Sequence, residues 1–220
     1  MPWGVGGGIS SDHPYTNTHK ENNSLSFNVN FTWYDSPYVP ISLEITRGKL
    51  SGGDITSITD HSREYVNKYT AIMLRADLQA GEIIDYYGGE LSNVLKNFYV
   101  GTGIGVVKND VDNNHFDLFS EGHPAGEYKF YFNNSLTNIA IPVRVGYEFK
   151  FYNEYNEPYI RLDIEYQHSV VFGEGLDGYN DPPSKFRNDY PDQFRQITVG
   201  LKYNFGLIRA YTKRIRGVYY

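Results

Sequence analysis

The ten residues 196–205, QITVGLKYNF, most constrain what this chain can fold into. Ile197, Val199, Leu201, Tyr203 and Phe205 alternate with Gln196, Thr198, Gly200, Lys202 and Asn204. A period of two describes a strand with one apolar and one polar face. Such a strand either buries its apolar face in a core or turns it toward lipid, with the polar face inside a closed barrel.

The same alternation recurs along the chain. It predicts further strands over residues 3–10, 24–34, 41–50, 68–81, 98–107, 137–151 and 160–171, making eight in all. Arg47 interrupts the apolar face of the third, which a bulge near Gly48 or an interfacial position would explain. Long polar loops are expected at 11–23, 51–67, 109–136 and 173–195. Between them lie short turns at 35–40 and 152–159. A medium connection at 82–97 contains one helical turn around 90–96. Membrane barrels show this alternation of short turns and long outer loops. Trp33, Tyr34, Tyr38, Tyr86, Tyr87, Phe98, Tyr99, Phe149, Phe151, Tyr152, Tyr203 and Phe205 gather at strand ends beside the short turns, as in an interfacial aromatic girdle.

Composition agrees. The chain has 21 Tyr and 13 Phe, residues that suit pleated surfaces. Its mean hydropathy of −0.51 is compatible with a membrane barrel, where only alternate residues meet lipid. No apolar run reaches the ~18 residues of a spanning helix. The first ten residues lack the basic start and apolar core of a signal peptide, so the chain reads as a mature form without its leader. A net charge of −6 argues against nucleic-acid binding. Without cysteine there are no disulfides or thiolate metal sites.

Thr198, Gly200, Tyr203 and Phe205 resemble the C-terminal assembly signal of bacterial outer-membrane barrels. Over roughly residues 3–205 the chain resembles the small eight-stranded barrels of the OmpA-like and OmpX-like group, with the barrel domain expected at 1–205. The stretch 48–54, GKLSGGD, is also similar to the small barrel subunit of the type IX secretion machinery. The resemblance implies an all-β, eight-stranded up-and-down antiparallel transmembrane barrel in the bacterial outer membrane. Lipid and lipopolysaccharide would surround it, and other envelope proteins would be its partners. The tail at 206–220 departs from the group. Its Arg209, Lys213, Arg214 and Arg216 suit a periplasmic partner or anionic headgroups.

The inward faces carry Arg75, Arg144, Lys150, Arg161 and Lys202 against Glu44, Asp77, Glu148, Asp163 and Glu165, five of each sign. An eight-stranded barrel has room only for its own side chains. Mutual neutralisation is therefore expected, giving a sealed, salt-bridged lumen; a narrow proton or ion path is the alternative. Residues 110–121 have EF-hand-like spacing at Asp110, Asp112, Asn114 and Glu121, but His115 occupies the position where the turn needs glycine. His13, His19, His61, His115 and His123 all fall in proposed outer loops, and no spacing among them demands a shared metal. Neither a metal nor a cofactor is expected. His168 and Ser169 lie at the level where some small barrels act on lipid A, but neighbours on a strand point opposite ways. The expected function is a non-enzymatic structural or partner-binding barrel, or a subunit of an envelope complex. The alternatives are a lipid A-modifying enzyme and a soluble lipocalin-like or β-sandwich binding protein.

Overall fold

The computed structural model describes residues 2–14, 20–54, 63–84, 89–112, 131–132, 135–173, 176, 179–180 and 191–206. Eight long strands dominate it: β1 (Trp3–Pro14), β2 (Ser24–Ser36), β3 (Val39–Asp54), β4 (Arg63–Gln79), β5 (Phe98–Asp112), β6 (Ser135–Tyr152), β7 (Pro158–Phe172) and β8 (Asp192–Phe205). Each pairs antiparallel with its neighbour in sequence, and β8 returns to pair with β1. The result is a closed up-and-down barrel, in which no long strand keeps an open edge.

Toward the long connections the strands run past the bounds expected from sequence, whereas the strand expected over 68–81 stops at Gln79, where Ala80–Glu82 turns away from the ladder. β3 continues through the SGGD stretch to Asp54, β4 begins at Arg63, and β5 ends at Asp112. Alternation weakens there because the outward positions turn polar, yet the ladder continues. No bulge occurs at Gly48, which pairs regularly with both Ser26 and Tyr69. The register shifts instead at Tyr34/Ser36 and Phe151/Tyr152. The medium connection holds a 3-10 turn (Ala80–Glu82) and α1 (Glu90–Leu95).

The register fixes the barrel's shape. Trp3 pairs with Trp33, then Ile41, Ala76, Thr102, Val143, His168 and Arg195, and the row returns to β1 at His13. One circuit from position 3 to position 13 is a stagger of ten residues. Ten rises of about 3.4 Å against eight strand spacings of about 4.8 Å tilt the strands by about 40°.

The outside is apolar. Val29, Ile45, Leu43, Ile72, Leu74, Val100, Val145, Val199 and Leu201 are all exposed. At the end bearing the short turns, Trp3, Phe98, Phe149, Phe151, Tyr152, Tyr203 and Phe205 are exposed as well. Trp3 stacks on Phe31 at 5.3 Å, and Tyr147 packs edge-on to both Phe98 and Phe149 at 4.7 Å. An apolar belt bordered by aromatics around a polar interior is the pattern of a barrel that spans lipid. Tyr34, Tyr38 and Tyr99 leave the expected girdle: Tyr34 and Tyr99 are buried, and all three rings meet lumen cations. The register places Ile45 near mid-belt. Ile45→Arg is expected to lower stability by about 2–4 kcal/mol, measured by urea unfolding from lipid vesicles.

Candidate functional site

The lumen is filled in layers. Near the short-turn end, Lys150 donates to Gln79 Oε1 at 2.6 Å and lies 4.8 Å from the Tyr38 ring centre. Gln79 donates to Glu148 Oε2 at 2.6 Å. Glu148 also takes Arg161 Nη1 at 2.8 Å and Lys202 Nζ at 3.0 Å, and Lys202 reaches Asp163 at 3.2 Å. The Arg161 guanidinium lies 4.1 Å from the centre of the Tyr34 ring. Room for Lys202 comes from the glycine face of β1. A Cβ at Gly6 would sit 2.6 Å from Lys202 Cγ.

The next layer centres on Arg144. It grips Asp77 through two nitrogens, with Nε at 2.6 Å from Oδ1, and donates to Glu165 at 2.7 Å. Bidentate pairing of this kind is the strongest arginine–carboxylate geometry. Arg75 pairs with Glu44 and, at 3.4 Å, with Glu165. Tyr99 Oη lies 2.9 Å from Asp163 and from Glu165, joining the layers. Each of the five carboxylates therefore touches a cation, and four of the five cations touch a carboxylate. Lys150 instead uses an amide oxygen and a ring.

Above the charges sits a smaller polar cluster that the sequence reading missed. Asp12 accepts from Ser26 at 2.7 Å, Tyr69 at 2.6 Å and Gln196 at 2.8 Å. Above that the lumen turns apolar. Leu50, Val107, Ala140, Val171 and Phe194 are fully buried beside Tyr69, whose ring lies 5.6 Å from that of Phe194. Leu176, from the connection after β7, is buried among them. Its carbonyl accepts from Asn67 at 2.9 Å, and its N–H donates to Asp192 at 3.0 Å. At the opposite mouth the Ala80–Glu82 turn folds inward. Glu82 is buried there and accepts from Ser36 at 3.3 Å, while Gly81 lies under the Tyr38 ring.

Tyr34, Tyr99 and Gln196 were legible from strand parity, whereas Asp12 was not, because it falls in a stretch expected to be loop and the first strand in fact runs on to Pro14. Tyr34 is one position from outward Trp33, and Tyr99 lies between outward Phe98 and Val100. The apolar cap was not legible, because inward aliphatics and outward ones carry the same hydropathy.

In the assembly signal, Thr198 bonds Ser10 across the closing seam at 2.7 Å, and Gly200 pairs with Gly8. Tyr203 and Phe205 face outward. Arg209, Lys213, Arg214 and Arg216 lie outside the described residues, as do His19, His61, His115, His123, Asn114 and Glu121. Asp110 sits on β5 rather than in a loop. His168 bonds Gln193 at 3.1 Å on the outer wall, while Ser169 is buried in the lumen beside Gln167, so the pair is split by the barrel wall. Among the described residues, no group of three His, Asp or Glu side chains could hold a metal ion.

Glu148→Gln would leave Arg161 without its carboxylate and Lys202 with one. It is expected to cost about 3–5 kcal/mol, with partial recovery in the Glu148→Gln/Arg161→Met double variant. The temperature at which the folded band disappears from a gel measures both.

No protein-family model matches this sequence, and no curated protein does. Among solved structures, Neisserial surface protein A superposes with a TM-score of 0.52 at 13% identity, over 92% of this chain and 97% of that one. The attachment invasion locus protein of Yersinia pestis gives 0.46 at 13% identity, over 93% and 99%. CarO of Acinetobacter baumannii gives 0.41 at 14% identity, over 93% and 98%. The likeness to the Neisserial protein, with the closed eight-strand order, shows that this chain has the fold of the small eight-stranded outer-membrane barrels.

Proposed function

We propose that this chain is an integral protein of the bacterial outer membrane and that its barrel is a rigid, non-conducting and non-catalytic mount. Its work is done by what the barrel carries: the outer connections and the segment after Phe205, offered to other envelope proteins. One observation carries this reading. The wall is apolar outside, while the lumen inside it is filled by paired charges and closed at its outer end by an apolar cap. Buried ion pairs contribute little net stability, so a filled lumen of this kind serves to hold one shape rather than to pass solutes. An ion entering a lumen filled by side chains would have to shed its hydration, and desolvating it costs several kcal/mol. The wall between His168 and Ser169 likewise supports the non-enzymatic reading over lipid A chemistry.

The purified chain, folded in detergent, is expected to migrate faster on an SDS gel unboiled than boiled. In a planar bilayer it is expected to give no steady conductance steps. A monodisperse protein in plain buffer without the gel shift would overturn the membrane reading. A folded barrel with regular conductance steps would overturn the sealed lumen alone.

A further inference from the structure

The outward face changes character toward the outer end of β3, β4 and β5. The pairing row Val29–Ile45–Ile72–Val106–Ile139 is wholly aliphatic. The next outward row holds Arg47, Thr70, Lys108 and Thr137, and the one beyond it Lys49, Lys68, Asp110 and Ser135. Arg47, Lys49, Lys68 and Lys108 are all exposed, and none is ion-paired among the described residues. Lys49 stands directly opposite Lys68. Lys108 stands opposite Thr70 and so lies diagonal to Lys68. Directly opposed Cβ atoms are about 5 Å apart and diagonal ones about 7–8 Å, and like charges so placed destabilise a sheet. Asp110, opposite Lys68 on the other side, offsets one positive charge of four.

The tilt brings these lysines to one height. Each residue climbs about 2.5 Å along the barrel axis, and each step to the next strand in a pairing row climbs about 3 Å. Lys49, Lys68 and Lys108 then fall within about 3 Å of one level, roughly 25 Å above Trp33 and Tyr203, which matches the height of a barrel's apolar band. On the far wall that level is occupied by Phe172 and Gln193. The three lysines therefore stand side by side on adjacent strands at one level, where the hydrocarbon ends on the side of the long connections.

We infer that Lys49, Lys68 and Lys108, with Arg47 beneath them, form a binding site for the phosphates of an outer-leaflet glycolipid, the phosphorylated diglucosamine of lipopolysaccharide. An anion shared by three lysines removes the repulsion that the register builds in, and Arg47 is placed to fork onto a second phosphate oxygen. Its acyl chains would lie along the Ile45, Ile72 and Val106 row. The site rests on the outer-membrane reading above.

The test uses the full chain folded in detergent, with diphosphoryl lipid A, its dephosphorylated form and phosphatidylglycerol as probes. Saturable binding of diphosphoryl lipid A is expected. Lys68→Gln should weaken it about fivefold, and Lys49→Gln/Lys68→Gln/Lys108→Gln about a hundredfold. Lys96→Gln, at the other end of the barrel, should change nothing. The gel shift reports folding of every variant, and if the triple variant does not fold, Lys68→Gln alone decides. Undiminished binding by the folded lysine variants, or equal binding of the dephosphorylated lipid or of phosphatidylglycerol, overturns the site while leaving the barrel intact. Failure of the unsubstituted chain to show the gel shift overturns the membrane reading and the site together.

Discussion

In hydrocarbon every backbone N–H and C=O must find its partner within the protein, because no water is available to supply one. The rest of this structure depends on how that demand is met. Eight strands meet it by closing β8 onto β1 with a stagger of ten residues. Closure fixes the tilt, the tilt fixes the height of each side chain, and the eight-strand circumference fixes how much can fit inside. Pro142 is the one inward position on β6 without an N–H to give. The β5–β6 pairing is interrupted beside it, and Thr102 donates its hydroxyl to the Pro142 carbonyl at 2.9 Å.

Within that wall, electrostatics and packing divide the lumen between them. Carboxylates and cations interleave because an uncompensated charge among them would be far costlier than a matched pair. Space for the long cations comes from missing side chains. Gly101 lies against Asp77 and Arg144, and Gly146 against Tyr99, so a Cβ at either would strike the network. The apolar cap follows a different rule. Leu50, Val107, Val171 and Phe194 need no partners, only volume, and Leu176 brings in the last of it from outside the barrel.

Much of this was legible in the sequence because a two-residue period is a direct image of which side of a wall a residue occupies. Val143, Val145 and Phe149 against Arg144, Glu148 and Lys150 leave no doubt about orientation. Strand ends were less legible. Beyond Leu50 come Ser51, Gly52 and Gly53, and before Lys68 polar Arg63, Glu64 and Asn67 flank Tyr65 and Val66, so alternation disappears although pairing persists. The two meanings of a tyrosine, girdle or lumen, could be told apart only by counting from the nearest outward neighbour, as Tyr34 and Tyr99 show. Leu176 was illegible, since a single leucine in a polar connection carries no period at all.

The seam between β1 and β8 joins residues 188 positions apart, as in the Ser10–Thr198 hydrogen bond. Every other long-strand pair is formed between neighbours in sequence. Translated from its N-terminus, the chain thus makes seven strands of an open sheet before the strand that completes it exists. Until then β1 and β7 each present a full row of unsatisfied backbone groups, a template for any other extended chain. Closure by β8 removes both edges at once, so the last strand is the latch of the whole wall.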